Sequence, residues 1–152
     1  MWTSGAHIVY SVDLSLPVNG SINRDSPAWT SNLLDLYIST IDAFSSYDNV
    51  LAYNIGNEVV TSPNETAAAT FVKAAARDTK AYLYVAFSSI HWCALMHLSL
   101  FGRKSKSSSA LVGYAAIDGD DTWIDPLANY LSCDPSNGNS NTTAIDLFGL
   151  NN

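Results

Sequence analysis

Residues 49–60 read NVLAYNIGNEVV, a mostly apolar run that breaks at Gly56 and then sets an ionisable Glu58 between Asn57 and Val59. An apolar run of this length, with no charge until its end, predicts a strand buried on both faces. That is the pattern of a parallel sheet covered by helices. Glu58 then falls at the C-terminal end of the strand, where α/β sheets and barrels bind their ligands and where a charged residue of a barrel strand reads as catalytic. Taken alone, the dipeptide equally fits a carboxylate that leaves the core and meets water, so the neighbouring segments have to decide.

Upstream, HIVYSVDL (His7 to Leu14) is β-branched and aromatic and carries Asp13 near its end, which predicts another strand with a polar mouth. SLPVNGSINRDSPAWT follows as a loop rich in Pro, Gly, Asn and Ser, with Asp25, Ser26 and Pro27 as the expected stop and start before a helix. From Ser31 to Ser46 the residues Leu33, Leu34, Tyr37, Ile38, Ile41 and Phe44 recur at helical spacing. Downstream of Glu58, Ser62 and Glu65 form a capping-box pattern ahead of the alanine-rich helix in TSPNETAAATFVKAAARDTKAYL. A third strand is expected over Ala110 to Asp118 and, after a segment containing Trp123 and Tyr130, a fourth in AIDLFGLN. Strands alternating with helical segments predict parallel βαβ units, and polar residues at every downstream strand end suggest the mouth of a (β/α) barrel. Four strands are half of the eight such a barrel requires.

Composition narrows the function. With 152 residues, 47% hydrophobic and 14% charged, the chain has the make-up of one globular domain, 1–152. Seven Lys and Arg against a net charge of −7 exclude a nucleic-acid partner, which needs clustered cations to neutralise phosphates. A neutral substrate suits the balance better, and eight Tyr, four Trp and five Phe offer flat apolar faces of the kind that stack on sugar rings. Cys93 and Cys133 are too few for a disulfide framework and have no metal-ligand spacing. Tyr84 to Phe101 is apolar but short for a membrane span and is interrupted by His91, His97 and several Ser. Its histidines and Cys93 lack a nearby carboxylate and are read as no metal site. Acceptor sequons stand at Asn19, Asn64 and Asn141, and no secretion signal precedes HIVYSVDL.

Six segments in order, SINRDSPAW, LLDLYISTIDAFSSYDNVLAYNIGNEV, FVKAAARDTKAYL, SSALVGYAAIDGD, LANYLSCDP and AIDLFGLNN, resemble the fungal glycolipid-anchored 1,3-β-glucanosyltransferases of glycoside hydrolase family 72. The resemblance covers nearly all of the chain outside an insert at about residues 84–106. It implies a partial (β/α)8 TIM barrel, from about the third strand to the sixth. It also implies that the chain acts in cutting and rejoining β-1,3-glucan chains during cell-wall biogenesis. Glu58 would be the general acid/base and Asn57 the residue holding the sugar 2-hydroxyl, with Arg24 and Asp25 as further substrate-binding candidates. The resemblance implies no cofactor, and it implies a lipid anchor at the outer face of the plasma membrane for full-length relatives. Cys133 matches a family cysteine whose partner lies further along. The family's nucleophile, a glutamate near the end of a later strand, is expected beyond Asn152, so the 152 residues alone are expected not to catalyse transfer. The competing readings are a β-glucan hydrolase of the same barrel clan and a non-catalytic truncated product.

Overall fold

In the computed structural model, which describes residues 9–84, 110–132 and 143–151, four parallel strands alternate with helices. They are β1 (Tyr10–Asp13), α1 (Ser31–Phe44), β2 (Val50–Asn57), a 3₁₀ turn (Pro63–Ala68) running into α2 (Ala69–Tyr84), β3 (Leu111–Ile117), α3 (Asp121–Leu131) and β4 (Leu147–Asn151). The sheet order is β1-β2-β3-β4, and all three pairings are parallel. Consecutive strands are thus neighbours with no reversal of order, the winding of a barrel and not of a doubly wound sheet. The chain forms part of a (β/α)8 barrel.

Alternation along the strands sorts the two sheet faces. Val12, Tyr53, Ile55, Val112, Tyr114 and Ala116 pack in one core with Tyr37 and Ile41 of α1, Val72, Ala75 and Ala76 of α2, and Leu127 and Leu131 of α3. Tyr37 is fully buried and its hydroxyl donates to the Ile55 carbonyl at 2.8 Å, which ties α1 to the middle of β2. The other face carries small and polar residues, among them Ser11, Ala52, Asn54, Gly113, Ala115 and Gly149. Gly113 has a specific reason: a Cβ there would lie 2.5 Å from Asn54 Oδ1, so the glycine makes room for the amide of the adjoining strand.

The first helix starts at Ser31, as its periodicity predicts, after Thr30, whose side chain accepts from Leu33 N; in the loop before it the Asn23 side chain accepts from Asp25 N and keeps the segment in a turn. β2 runs through Gly56 to Asn57, which leaves Glu58 at its C-terminal end as expected, with its register against β3 shifting between Asn54 and Asn57. One expectation needs correction. The capping box does not close, because Ser62 makes no side-chain cap and the Glu65 carboxylate turns instead to Thr61. The segment with Trp123 and Tyr130, between the third and fourth strands, is a helix. Asp120 caps it through Thr122 N, and Ile124, Leu127 and Leu131 form its buried stripe despite the internal Pro126. Most of the insert at about 84–106 lies outside the described residues.

Candidate active site

Parallel pairing brings the C-terminal ends of all four strands to one edge of the sheet, so Asp13, Asn57, Glu58, Asp118 and Asn151 share that edge. Glu58 follows the last residue of β2, and its N–H still donates to the Ala115 carbonyl of β3 at 2.8 Å. Its φ is +49°, a left-handed conformation uncommon for a residue with a side chain. Such backbones persist where surrounding contacts over-determine them, and they cluster at functional sites. Here the contacts come from three directions.

From the loop after β1, the Arg24 guanidinium donates to the Glu58 carbonyl at 2.6 Å and to Thr61 Oγ1 at 2.8 Å. Thr61 is held in turn by Glu65, which accepts from both its N–H and its hydroxyl at 2.7 Å; those bonds keep the Glu65 carboxyl below its ordinary range. From beneath, Val60 N donates to the buried Tyr114 hydroxyl at 3.0 Å. Burial raises the Tyr114 phenol above its ordinary value, so it remains neutral at any working pH. Gly56 lets the turn fold over this ring: a Cβ at that position would stand 2.9 Å from Val59 Cγ2 and 3.2 Å from Tyr114 Cε2. From β4, the Asn151 amide donates to Asn57 Oδ1 at 2.6 Å and to Glu58 Oε1 at 3.1 Å.

The structure therefore brings together Glu58, Asn57 and Arg24 of the expected residues, with Arg24 spent on the backbone of Glu58. Asp25 is exposed, and among the described residues its carboxylate has no hydrogen-bond partner. Asn19 and Asn64 are exposed, Asn19 with φ +63°, whereas Asn141 and Cys133 lie outside the described residues. Three contributors escaped the sequence reading. Tyr114 lay within an apolar strand pattern, Asn151 was one polar strand end among several, and the Glu65 signal pointed to the wrong partner. Among the described residues, no group of three or more His, Cys, Asp or Glu is placed to hold a metal, and no helix is long and apolar enough to cross a membrane.

The family pattern of the glucanosyltransferases, glycoside hydrolase 72, matches residues 2–89. The chain belongs to that family. It is 38% identical over 149 residues to Protein EPD1 of Candida maltosa, an alignment covering 97% of this chain and 22% of that protein. It is 35% identical to the 1,3-beta-glucanosyltransferase GAS2 of Saccharomyces cerevisiae, covering 92% and 20%. The crystal structure of Saccharomyces cerevisiae Gas2 in complex with a small compound superposes with a TM-score of 0.70 at 34% identity, over 95% of this chain and 27% of that one. A second superposes at 0.68 and 33% identity, again over 95% and 27%: a glutamine-for-glutamate mutant of Gas2p in complex with laminaritetraose and laminaripentaose. The chain thus spans about a fifth of the length of these relatives.

Proposed function

We propose that these residues form the acid/base half of the active site of a retaining 1,3-β-glucanosyltransferase, with Glu58 as the general acid/base. The observation that carries this reading is the Asn57–Glu58 pair at the C-terminal end of a buried parallel strand, its backbone held in a left-handed turn by Arg24, Thr61 and Tyr114. A turn fixed from outside in this way aims one carboxyl group at the open edge of the sheet, as a positioned proton donor requires.

The chemistry follows from the carboxyl group. Protonated, Glu58 donates to the departing glycosidic oxygen while a second carboxylate, about 5 Å away, attacks the anomeric carbon. By family resemblance that second group is a glutamate from a later strand. The Glu58 carboxylate then takes the proton of an incoming sugar hydroxyl, which completes transfer; taking it from water would give hydrolysis. Asn57 binds the 2-hydroxyl of the donor sugar, Arg24 holds the turn, and Asp25, exposed on the same loop and with no partner for its carboxylate among the described residues, is left to meet an outlying sugar. No cofactor or metal is needed. The substrates are β-1,3-glucan donor and acceptor chains, in keeping with the laminari-oligosaccharides bound by the Gas2p relative.

The same reading places the protein at the fungal cell surface, anchored by lipid on the outer face of the plasma membrane or in the wall. Asn19, Asn64 and Asn141 then carry N-linked glycans and Cys133 pairs with a cysteine outside this chain. The test is the full-length protein that carries these residues, incubated with laminaripentaose and its products resolved by size. Chains longer than the donor are expected, and Glu58→Gln should abolish them while leaving the fold intact. Products all shorter than the donor would assign hydrolysis instead.

A further inference from the structure

Asn151 does something that no strand-end polar residue has to do: it spans β3. Asn57 of β2, Ala115 of β3 and Gly149 of β4 are in register, and Asn151 lies two residues beyond Gly149 on the same face. Outer strands separated by a central one stand about 10 Å apart, too far for one side chain to cross when a bulky residue lies between. Asn151 is itself in register with Ile117 of β3, and the row one step nearer Asn57 holds the Ala115 methyl and the bare Gly149, which leaves the amide a path across toward Asn57. Across that gap the two protons of one amide are both engaged, one on Asn57 Oδ1 at 2.6 Å and one on Glu58 Oε1 at 3.1 Å. Asn57 is thereby fixed with its oxygen toward β4. Its own NH₂ has no partner among the described residues and faces away from that bond, available to a ligand oxygen.

We propose that Asn151 is a positioning residue for the acid/base, anchored on Asn57 so that its second N–H fixes the carboxyl of Glu58. This rests on the role of Glu58 proposed above. Arg24 and the Tyr114 hydroxyl hold the main chain at the Glu58 carbonyl and at Val60 N, and leave the carboxyl free to rotate. Among the described residues, Asn151 is the group that bonds the carboxyl itself. The amide keeps its donor in both roles of the carboxyl: it steadies the unprotonated oxygen while the other oxygen carries the proton to the leaving group, and steadies the carboxylate when it acts as base.

The test uses the full-length protein carrying this chain and two donors that differ in their need for an acid. Cleavage of laminaripentaose expels a sugar alkoxide and needs protonation; a β-laminaribiosyl fluoride expels fluoride, and its first-turnover fluoride release needs little. Loss of a positioned carboxyl should lower the ratio of kcat/KM on laminaripentaose to the first-turnover rate on the fluoride. Loss of sugar binding through Asn57, or of general stability, would lower both and leave the ratio alone. In Asn151→Ala the ratio is expected to fall about tenfold, the order of effect of one hydrogen bond to a charged group. Asn151→Leu, which keeps about the size but has no donor, should show the same fall and guards against a cavity effect in the alanine variant. A ratio within about threefold of wild type in both variants, at any common loss of rate, overturns the proposal. Glu58→Gln serves as the reference: if it too leaves the ratio unchanged, the acid/base reading of Glu58 fails, whereas a collapse there with an unchanged ratio in the Asn151 variants sinks the Asn151 assignment alone.

Discussion

Glu58 holds a backbone conformation that costs a residue with a side chain about 1–2 kcal/mol. The Arg24 guanidinium opposes that cost through a short, charge-assisted bond to the Glu58 carbonyl. If the strain serves catalysis, removing the strap should harm activity more than stability. Arg24→Ala is expected to lower kcat by about 10- to 100-fold while shifting the unfolding midpoint by only a few degrees, because Arg24 is exposed and its loss leaves no buried cavity. Arg24→Lys, which keeps the charge but cannot reach both the carbonyl and Thr61 Oγ1 as a fork, should recover little. Measuring kcat alongside thermal unfolding separates these outcomes; parallel losses in both would make Arg24 a stability residue.

At the scale of elements, the strands and α1 were legible because burial imposes a period: Tyr37, Ile38 and Ile41 recur on one helical face and β2 is almost uninterrupted by polar groups. The capping box is misread because of a competing local bond: Thr61 captured Glu65. Asn23 holds Asp25 N in the loop before α1, and Pro126 masks the period of a helix whose stripe buries Leu127 and Leu131. Within the site, Glu58 and Asn57 could be placed from the strand pattern alone, whereas Asn151 and Tyr114 act across strands, and pairings between distant segments leave no local trace. Two predictions belong here. The Glu65 carboxyl lies below its ordinary value of 4.5 in the folded state, so its hold on Thr61 is fully present above about pH 4.5. That hold is lost as pH falls through the lower folded value, and Glu65→Gln should flatten this part of an acid-unfolding curve; an unchanged curve would show that Thr61 is held otherwise. At the end of the sheet away from the mouth, the nearly buried Lys80 of α2 pairs with Asp146 at 2.5 Å. Asp146 also accepts from Val112 N and donates to the Val112 carbonyl, which aligns β4 on β3. Lys80→Ala is expected to destabilise the fold by about 2–3 kcal/mol in denaturant titration, since it strands a partly buried carboxylate. A loss under about 0.5 kcal/mol would contradict that role.

For the whole molecule, the helices lie on one side of the sheet and the C-terminal strand ends on one edge, so anything that closes the barrel leaves that edge as the mouth. The sheet face opposite the helices is lined by Ser11, Ala52, Asn54, Gly113, Ala115 and Gly149, small enough for side chains of facing strands to fill the interior. The function turns on which step Glu58 serves, and one product distinguishes the possibilities. In the full-length protein carrying this chain, Glu58→Ala would be supplied with a β-laminaribiosyl fluoride and sodium azide, and the anomeric configuration of the glycosyl azide read by NMR. An acid/base residue leaves the nucleophile in place, so the covalent intermediate still forms and azide enters from the face the acid/base served, giving the β-azide. The expected product is the β-azide, with the rate restored by azide; an α-azide would make Glu58 the nucleophile and contradict its role as acid/base.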